Sequence, residues 1–331
     1  MKYTAFVLFE DSANGLYCAD GAFHLDPHGT VERAVVTHAH GDHARPGAAA
    51  YLCTPDTAAL IRRRIGPEPL IQELPYGDKL TLGSTVISFH PAGHILGSAQ
   101  LRIEGADGVW VVSGDYKRES DPTCLPFEPQ RCDTFVTEST YALPIFRWDA
   151  GIASDILSWW QGNPEKPSLL FCYALGKAQR ILAELALLTD KPVYVHGAVE
   201  AFAELYRSRG VKLLQTIPVG DLRGLAGELV LAPLTARGTP WMKRFRSPDQ
   251  AFASGHLRIR AQRRRRAFDR GFVISDHADW PGVLRTVRDS GASRVFALHG
   301  HRDALVHALR DQGVDAAAIG AAVPELDPEG D

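Results

Sequence analysis

The sequence of 331 residues predicts an α/β fold in which two stretches have different patterns. Up to about residue 145, short apolar runs are separated by turns that contain Gly, Pro or Asp, which is typical of a strand-rich region. Beyond that point, apolar strands alternate with helical patterns, which is typical of a parallel sheet. A chain of this length can form two domains or one large domain.

The first stretch contains several predicted strands and one clear helix. Residues 54–65 have helical periodicity, Pro55 suits the first helical turn, and Gly66 and Pro67 end the pattern. Strands are expected at residues 4–9, 34–37, 85–90, 100–103, 109–113 and 134–137.

The second stretch alternates between strands and helices. Residues 176–188 have apolar side chains at helical spacing on one face. This face consists of Ala178, Ile181, Leu182, Leu185 and Leu188. Trp159 and Trp160 stand among apolar residues and are expected in the core. Further helices are expected at 153–161, 199–208 and 280–290, and strands at 168–173, 192–195, 272–275 and 294–298.

The composition limits the class of protein. Hydrophobic residues make up 45% and charged residues 23% of the chain, as in ordinary globular proteins. The formal net charge of -3 gives no global basic field, so binding to nucleic acid would need a local basic patch. The five cysteines are odd in number and include no CxxC pair, which argues against a disulfide framework and against a Cys-based zinc ribbon.

The N-terminus does not resemble a signal peptide, and the chain has no run of about 18 apolar residues that could span a membrane. We therefore expect a cytoplasmic protein without a membrane span.

Residues 38–43 are the most informative segment, because His38, His40, Asp42 and His43 fall so close together. Neutral imidazoles and ionised carboxylates are good ligands for a divalent metal such as zinc. The segment follows a predicted strand, and sites in layered α/β folds lie at such strand ends. Alternate residues of an extended chain point the same way, so His38 and His40 can hold one metal while Asp42 and His43 turn toward a second.

Three more candidate ligands also follow predicted strands. His94 stands in a glycine-rich loop that suits a tight turn. Asp115 is a carboxylate, and a carboxylate can bridge two cations. His299 ends an apolar strand, and the neighbouring His301 is a competing candidate.

These side chains together predict a two-metal site with a bridging hydroxide as the nucleophile. The two ions would also neutralise charge on an attacked phosphoryl or acyl group. The expected ligands are His38, His40 and His94 for the first metal, Asp42, His43 and His299 for the second, and Asp115 as the bridge.

Two further residues are expected to be catalytic in addition to Asp42. Glu138 follows the strand 134–137, and His277 follows the strand 272–275. A leaving alkoxide is poor unless it is protonated, and an imidazolium can supply that proton while a carboxylate fixes its orientation.

The motifs, in order, resemble those of metallo-β-lactamase-fold nucleases of the β-CASP group. They are HAHGDH at 38–43, PAGHILGSA at 91–99, SGDY at 113–116, TEST at 137–140, SDHAD at 275–279 and LHG at 298–300. The resemblance covers essentially the whole chain. It implies a two-zinc αββα sandwich made of residues 1–145 and 270–331, with an inserted α/β cap domain at 146–269 that closes over a nucleic-acid channel. It also implies that Glu138 supports His277 and that His277 lies near the leaving oxygen.

Finer features resemble the bacterial ligase-associated DNA exonuclease subfamily. They are the segments at 15–18, 43–47, 121–124, 238–242 and 263–266. This resemblance implies work beside an ATP-dependent DNA ligase and a helicase. His299 departs from the pattern, because DNA-acting members of the Artemis type have an apolar residue there and RNA-processing members have His.

The run 256–270 contains seven arginines and one aspartate, a strong local excess of positive charge. Guanidinium groups bind phosphates through paired hydrogen bonds, so this run is expected to contact nucleic acid. A solvated or ion-paired run is the alternative. The expected contacts are Arg258, Arg260, Arg263, Arg264, Arg265 and Arg266. Lys177 at a helix start could also hold a phosphate, and Tyr173 could stack on a base, although either could equally have a packing role.

We therefore expect a metal-dependent DNA exonuclease that acts on single-stranded DNA or a duplex end, with zinc bound and manganese as a second possible working metal. An RNase with the same chemistry is the first alternative. A non-catalytic nucleic-acid-binding scaffold and a small-molecule hydrolase are further alternatives, because the metal core alone does not determine the substrate.

Overall fold

The computed structural model describes residues 8–67, 69–259 and 268–320. Within these ranges the chain has an α/β fold with three β-sheets. None of the described helices is both long enough and apolar enough to cross a membrane.

The described residues fall into two compact units. The first lies within Met1–Ser120, Cys124–Pro144 and His277–Glu325, and the second within Asp121–Thr123 and Ile145–Asp276.

The first unit contains two mixed sheets. One sheet has the order β1-β2-β3-β4-β5-β6. Its strands are β1 (Glu10–Ser12), β2 (Gly15–Cys18), β3 (Phe23–Leu25), β4 (Val31–Val35), β5 (Ala48–Cys53) and β6 (Leu70–Glu73). The other has the order β19-β18-β11-β10-β9-β8-β7. Its strands are β7 (Leu80–Leu82), β8 (Thr85–Pro91), β9 (Ala99–Gly105), β10 (Gly108–Val112), β11 (Thr134–Glu138), β18 (Arg294–Leu298) and β19 (Asp315–Ala318).

The two sheets of the first unit share one apolar core. Leu25 and Val35 from the first sheet pack in the same cluster as Phe89, Val112 and Val136 from the second. The helices of this unit are α1 (Pro55–Ile65), α5 (Trp280–Ser290) and α6 (Arg302–Asp311). Helices α5 and α6 cover the other face of the second sheet.

The second unit contains a parallel sheet with the order β14-β13-β15-β12-β16-β17. Its strands are β12 (Ser168–Phe171), β13 (Val193–Val195), β14 (Thr216–Pro218), β15 (Leu229–Ala232), β16 (Asp249–Ala253) and β17 (Arg270–Phe272). Its helices are α2 (Ile152–Gln161), α3 (Lys177–Leu185) and α4 (Gly197–Ser208), which pack on one face of the sheet. Trp159 and Trp160 are buried in this core, as expected.

The predicted first strand is wrong in its described part. Residues 8 and 9 are not in a strand, and residues 4–7 lie outside the described residues. The exposed β1 starts at Glu10, directly after the end of the predicted strand. It pairs with β2 through a tight turn in which Gly15 has a φ of 105°. Pairing across this turn, rather than hydrophobicity, therefore forms the strand.

Two other expected elements have different ends. Helix α3 stops at Leu185, and Leu188 is 44% exposed rather than on the buried face. The reason is that the chain leaves the helix in a turn closed by the Leu188 amide and the Leu185 carbonyl at 2.9 Å. Strand β17 covers Arg270–Phe272 instead of 272–275, because it pairs with β16 at those residues.

Candidate metal centre

The candidate ligands of the first unit follow the carboxyl ends of its strands. His38 comes three residues after β4, and His94 three residues after β8. Asp115 comes three residues after β10, and His299 directly after β18. These polar residues therefore gather at the carboxyl ends of strands, where sites in layered α/β folds tend to lie.

Four of these side chains converge on one point. His38, His40, His94 and Asp115 each offer a ligand atom, and these atoms all lie within 4.8 Å of one another. Nδ1 of His40 lies 3.1 Å from Nε2 of His38 and 3.0 Å from Nε2 of His94. Three imidazoles and one carboxylate are a donor set that fits a divalent metal ion. The structure therefore brings together the donors assigned to the first metal and to the bridge.

The donors assigned to the second metal are arranged more loosely. Nε2 of His43 lies 3.4 Å from Oδ2 of Asp115 and 3.7 Å from Oδ2 of Asp42. The Asp42 side chain is 53% exposed. The ring of His299 lies farther out, with its centroid 6.0 Å from that of His43. Asp115 is thus the residue that both proposed sets share.

The loop at His299 has an unusual backbone. His299 has a φ of 57° and Gly300 a φ of 56°, both in the left-handed region. The Ser139 hydroxyl donates to the His299 carbonyl, and the His301 amide donates to the Ser139 carbonyl at 2.8 Å. A Cβ atom on Gly300 would lie 2.5 Å from that same carbonyl, so only glycine fits here.

A cavity of about 160 Å³ adjoins the second set of donors. Its lining includes the polar residues Asp26, His43, Asp115, Glu138 and His299. It also includes the aliphatic residues Leu16, Leu25, Val112, Val136 and Leu298. These donors therefore border open space as well as packed side chains.

The buried charges set the protonation of the cluster. Burial lowers the pKa of His38 well below its ordinary value, and the nearby His43 lowers it further. Burial also opposes protonation of His43, but the carboxylates of Asp115, Asp42 and Asp26 outweigh burial and raise its pKa well above the ordinary value. Burial would raise the pKa of Asp115, yet the adjacent histidines lower it well below the usual range.

These shifts predict a pH dependence of metal binding. A metal can use Nε2 of His43 only after the imidazole loses its proton, so binding must release that proton below its pKa. The apparent metal affinity should therefore rise about tenfold per pH unit below the raised pKa of His43 and level off above it. Calorimetry in buffers of different ionisation enthalpy measures the protons released. An affinity that stays flat over this range would contradict the prediction.

Asp26 is a functional residue that the sequence reasoning missed. Its Oδ2 atom accepts from Nδ1 of His43 at 2.7 Å and from the Thr37 hydroxyl at 2.6 Å, and its Oδ1 atom accepts from the Thr37 amide at 2.8 Å. A carboxylate on the far nitrogen of a ligating histidine fixes its tautomer and leaves Nε2 to the metal. Asp26 comes directly after β3 and has a φ of 41°, but its contact with His43 spans 17 residues of sequence.

Replacing Asp26 by asparagine should weaken metal binding by about 10- to 100-fold. The new amide would present an N–H donor to Nδ1 of His43, which favours the tautomer with the proton on Nε2 and so blocks that ligand atom. Competition with a chelator measures the affinity, and Asp20→Asn, an exposed change in the turn before β3, is the control. Equal metal affinities in the two variants would argue against this role for Asp26.

Buried Glu138 and partly buried His277 form a hydrogen-bonded pair. Oε2 of Glu138 lies 2.8 Å from Nδ1 of His277, and Oε1 accepts from the Tyr116 amide at 2.8 Å. Burial raises the pKa of Glu138 above its ordinary value, although the charge of His277 opposes this rise. The His277 ring lies 4.7 Å from that of His94. The expected carboxylate–imidazole pair is therefore present in the structure, beside the cluster.

The same pair could also act as metal ligands. Asp115, Glu138 and His277 offer three donor atoms within 4.8 Å of one another. Geometry alone thus allows His277 to be a proton donor or a ligand, and metal content of a variant distinguishes these roles.

The residues expected to contact nucleic acid lie in varied surroundings. Arg258 is paired with Asp149 at 2.7 Å, so part of its charge is neutralised. Lys177 is buried, with Nζ 5.0 Å from the centre of the Tyr173 ring. Arg260 and Arg263 to Arg266 lie outside the described residues.

Known proteins with similar sequences include two named ribonucleases and one protein named as a DNA ligase. No family model matches the sequence. The chain is 30% identical over 314 residues to a protein of Opitutus terrae named "Probable DNA ligase", an alignment that covers 93% of this chain and 31% of that protein. It is 28% identical over 208 residues to endoribonuclease ysh-1 of Neurospora crassa, covering 54% of this chain and 22% of the relative.

A ribonuclease of Thermus thermophilus is 30% identical over 146 residues, covering 36% of this chain and 34% of the relative. The chain thus spans about a third or less of the length of these relatives. A crystal structure of a protein of unknown function from Enterococcus faecalis has a TM-score of 0.57 at 13% identity, covering 88% of this chain and 79% of that one, which shows a shared fold alone. The nuclease names of two of these relatives, together with the His/Asp cluster, indicate that this chain is similar to nucleases of the metallo-β-lactamase/β-CASP type.

Proposed function

We propose that the protein is a two-metal phosphodiesterase that hydrolyses DNA, acting as an exonuclease in DNA repair beside a ligase and a helicase. The observation that carries this proposal is the convergence of His38, His40, His94 and Asp115 within 4.8 Å. Zinc is the proposed resident metal, and manganese is the alternative working metal, because affinity trends favour zinc binding without fixing turnover.

The proposed architecture is an αββα sandwich of residues 1–145 and 270–331 with a β-CASP cap at 146–269. Support comes from two sheets that share a core in the first unit and from the parallel sheet in the second, whose last strand β17 lies just beyond the proposed boundary at residue 270. The cap is the proposed carrier of nucleic-acid contacts through Tyr173, Lys177 and the arginine run from Arg258 to Arg266.

The chain's own residues would hold two metal ions. The bound ions would lower the pKa of water and neutralise charge on the phosphodiester. His38, His40 and His94 would hold one ion, Asp42, His43 and His299 the other, and Asp115 both. Asp26 would accept a hydrogen bond from Nδ1–H of His43, so that Nε2 is the nitrogen left to the metal in the neutral imidazole.

Proton transfer to the leaving oxygen is assigned to His277. Glu138 holds Nδ1 of His277 at 2.8 Å, and its other oxygen is fixed by the Tyr116 amide. Such a pair keeps the imidazole in one orientation and stabilises its protonated form, which is the form that can donate to the leaving oxygen.

DNA is the proposed substrate because the similarity to the protein named as a DNA ligase extends over 93% of this chain. RNA is the second candidate, and the names of the ribonuclease relatives and the presence of His299 favour it. End-labelled DNA and RNA of one sequence, single- and double-stranded, separate these candidates when each is digested with zinc and with manganese.

The proposal expects release of mononucleotides from DNA and slower cleavage of RNA. Preferential cleavage of RNA would favour the second candidate. Tight binding without cleavage would point to a scaffold, and inertness toward every polynucleotide would point to a small-molecule hydrolase.

A further inference from the structure

Arg64 lies against the loop that carries the first cluster of candidate ligands. It belongs to the last turn of α1, and its Nη1 atom donates to the carbonyls of Ala39 at 2.9 Å and Ala44 at 3.0 Å. These carbonyls flank the segment 40–43. One guanidinium nitrogen therefore bridges the residue before the loop and the residue after it.

The backbone between these carbonyls forms a single turn. The amides of His43 and Ala44 both donate to the carbonyl of His40, at 3.2 and 2.8 Å. His40, Asp42 and His43 project from this turn. The geometry of this turn therefore determines the distances between the Cα atoms of these three residues.

Gly41 provides the space for the guanidinium. A Cβ atom at this position would lie 2.9 Å from Nη2 of Arg64, closer than side chains normally approach. Gly41 is exposed and does not have a positive φ, so its backbone does not require glycine. The close approach of Arg64 is the constraint that favours glycine at this position.

We propose that Arg64 is a positioning residue for the metal loop, which it braces so that His40, Asp42 and His43 are held in place before a metal binds. The inference rests on the proposed metal centre and is independent of whether DNA or RNA is the substrate. Arginine suits this task because its planar group has donors in fixed directions, whereas lysine offers one flexible point charge. Bracing a ligand loop in advance reduces the ordering that metal binding would otherwise require.

The test compares Arg64→Met, which keeps an unbranched stem, with Arg63→Met on the same helix. Arg63 and Arg64 are both exposed, but among the described residues the hydrogen bonds to the Ala39 and Ala44 carbonyls come from Arg64, so the control makes the same chemical change without the loop contact. The metal-free 331-residue protein is titrated with Co²⁺ against a chelator, and the visible absorption of bound Co²⁺ reports the geometry. Arg64→Met should lower the affinity by about 10- to 100-fold and alter the spectrum, as loss of outer-sphere support does. Arg63→Met should change neither.

Gly41→Ala supplies an independent variant. Its new methyl group should displace the guanidinium and weaken Co²⁺ binding in the wild-type background. In the Arg64→Met background the same change should have little further effect, because the contact is already lost. Fully additive losses would mean that the two residues act separately and would overturn the proposal.

Two other outcomes would also overturn it. One is an unchanged affinity and spectrum in Arg64→Met. The other is a raised KM with normal metal affinity, which would place Arg64 in substrate binding. Thermal unfolding of the metal-free variants checks the fold. If Arg64→Met does not fold, the same titration is made with Arg64→Lys, for which a smaller loss of Co²⁺ affinity is expected. If the wild-type protein binds no Co²⁺, the metal centre itself is wrong, which separates that failure from a failure of Arg64 alone.

Discussion

Replacing Asp115 by asparagine should remove metal binding and reduce phosphodiester hydrolysis by at least about three orders of magnitude, or about 4 kcal/mol of transition-state stabilisation. Oδ2 of Asp115 lies 3.4 Å from Nε2 of His43, 3.6 Å from that of His38 and 3.9 Å from that of His94. It is therefore the anion at the centre of both proposed ligand sets. An amide keeps the shape but supplies no negative charge to two cations.

The control for this variant is Asp107→Asn. Asp107 is exposed in the turn before β10, whereas Asp115 follows the end of that strand. Metal content by mass spectrometry and hydrolysis rates should match the wild type in the control. Circular dichroism should show that both variants fold. A folded Asp115→Asn protein that keeps two metals and normal turnover would contradict the assignment of Asp115.

Replacing His277 by alanine should reduce turnover by about 10²- to 10⁴-fold, the usual contribution of a positioned acid or base. Metal content should stay near that of the wild type, because Nδ1 of His277 is engaged with Glu138 at 2.8 Å and lies 3.9 Å from Oδ2 of Asp115. The readouts are kcat and bound metal, measured in the same preparation.

His307→Ala is the matched control, since this side chain is 81% exposed on α6. Loss of metal from the His277 variant would show that Asp115, Glu138 and His277 are ligands rather than a bridge and an acid pair. Normal turnover with normal metal would remove His277 from the reaction altogether.

The candidate ligands could be predicted because each is a polar residue that follows an apolar strand. Such residues are costly to bury without a partner, so His38, His94 and Asp115 stood out locally. Asp26 and Arg64 did not stand out, because their roles depend on contacts with residues that are distant in sequence. Asp26 meets His43 across 17 residues, and Arg64 meets Ala39 across 25. No local pattern reports such a contact.

Elements of the fold with a clear sequence signal could be predicted, whereas elements defined by pairing alone could not. Helices α1 and α5 are marked by proline at the first turn and lie where the pattern predicts them. Strand β1 is exposed and polar, so its hydrophobic pattern is absent and pairing with β2 alone defines it. Leu188 misled the helix prediction because an apolar side chain can remain exposed after a helix has ended.

The central claim is that the His/Asp cluster binds metal ions that enable phosphodiester hydrolysis. Metal-free protein titrated with zinc or manganese tests it most directly, with bound metal and cleavage of end-labelled DNA measured in the same samples. The account predicts no cleavage without metal and activity that rises as a second ion binds to each chain. Full activity in the metal-free protein, or two bound ions without cleavage of any nucleic acid, would contradict it.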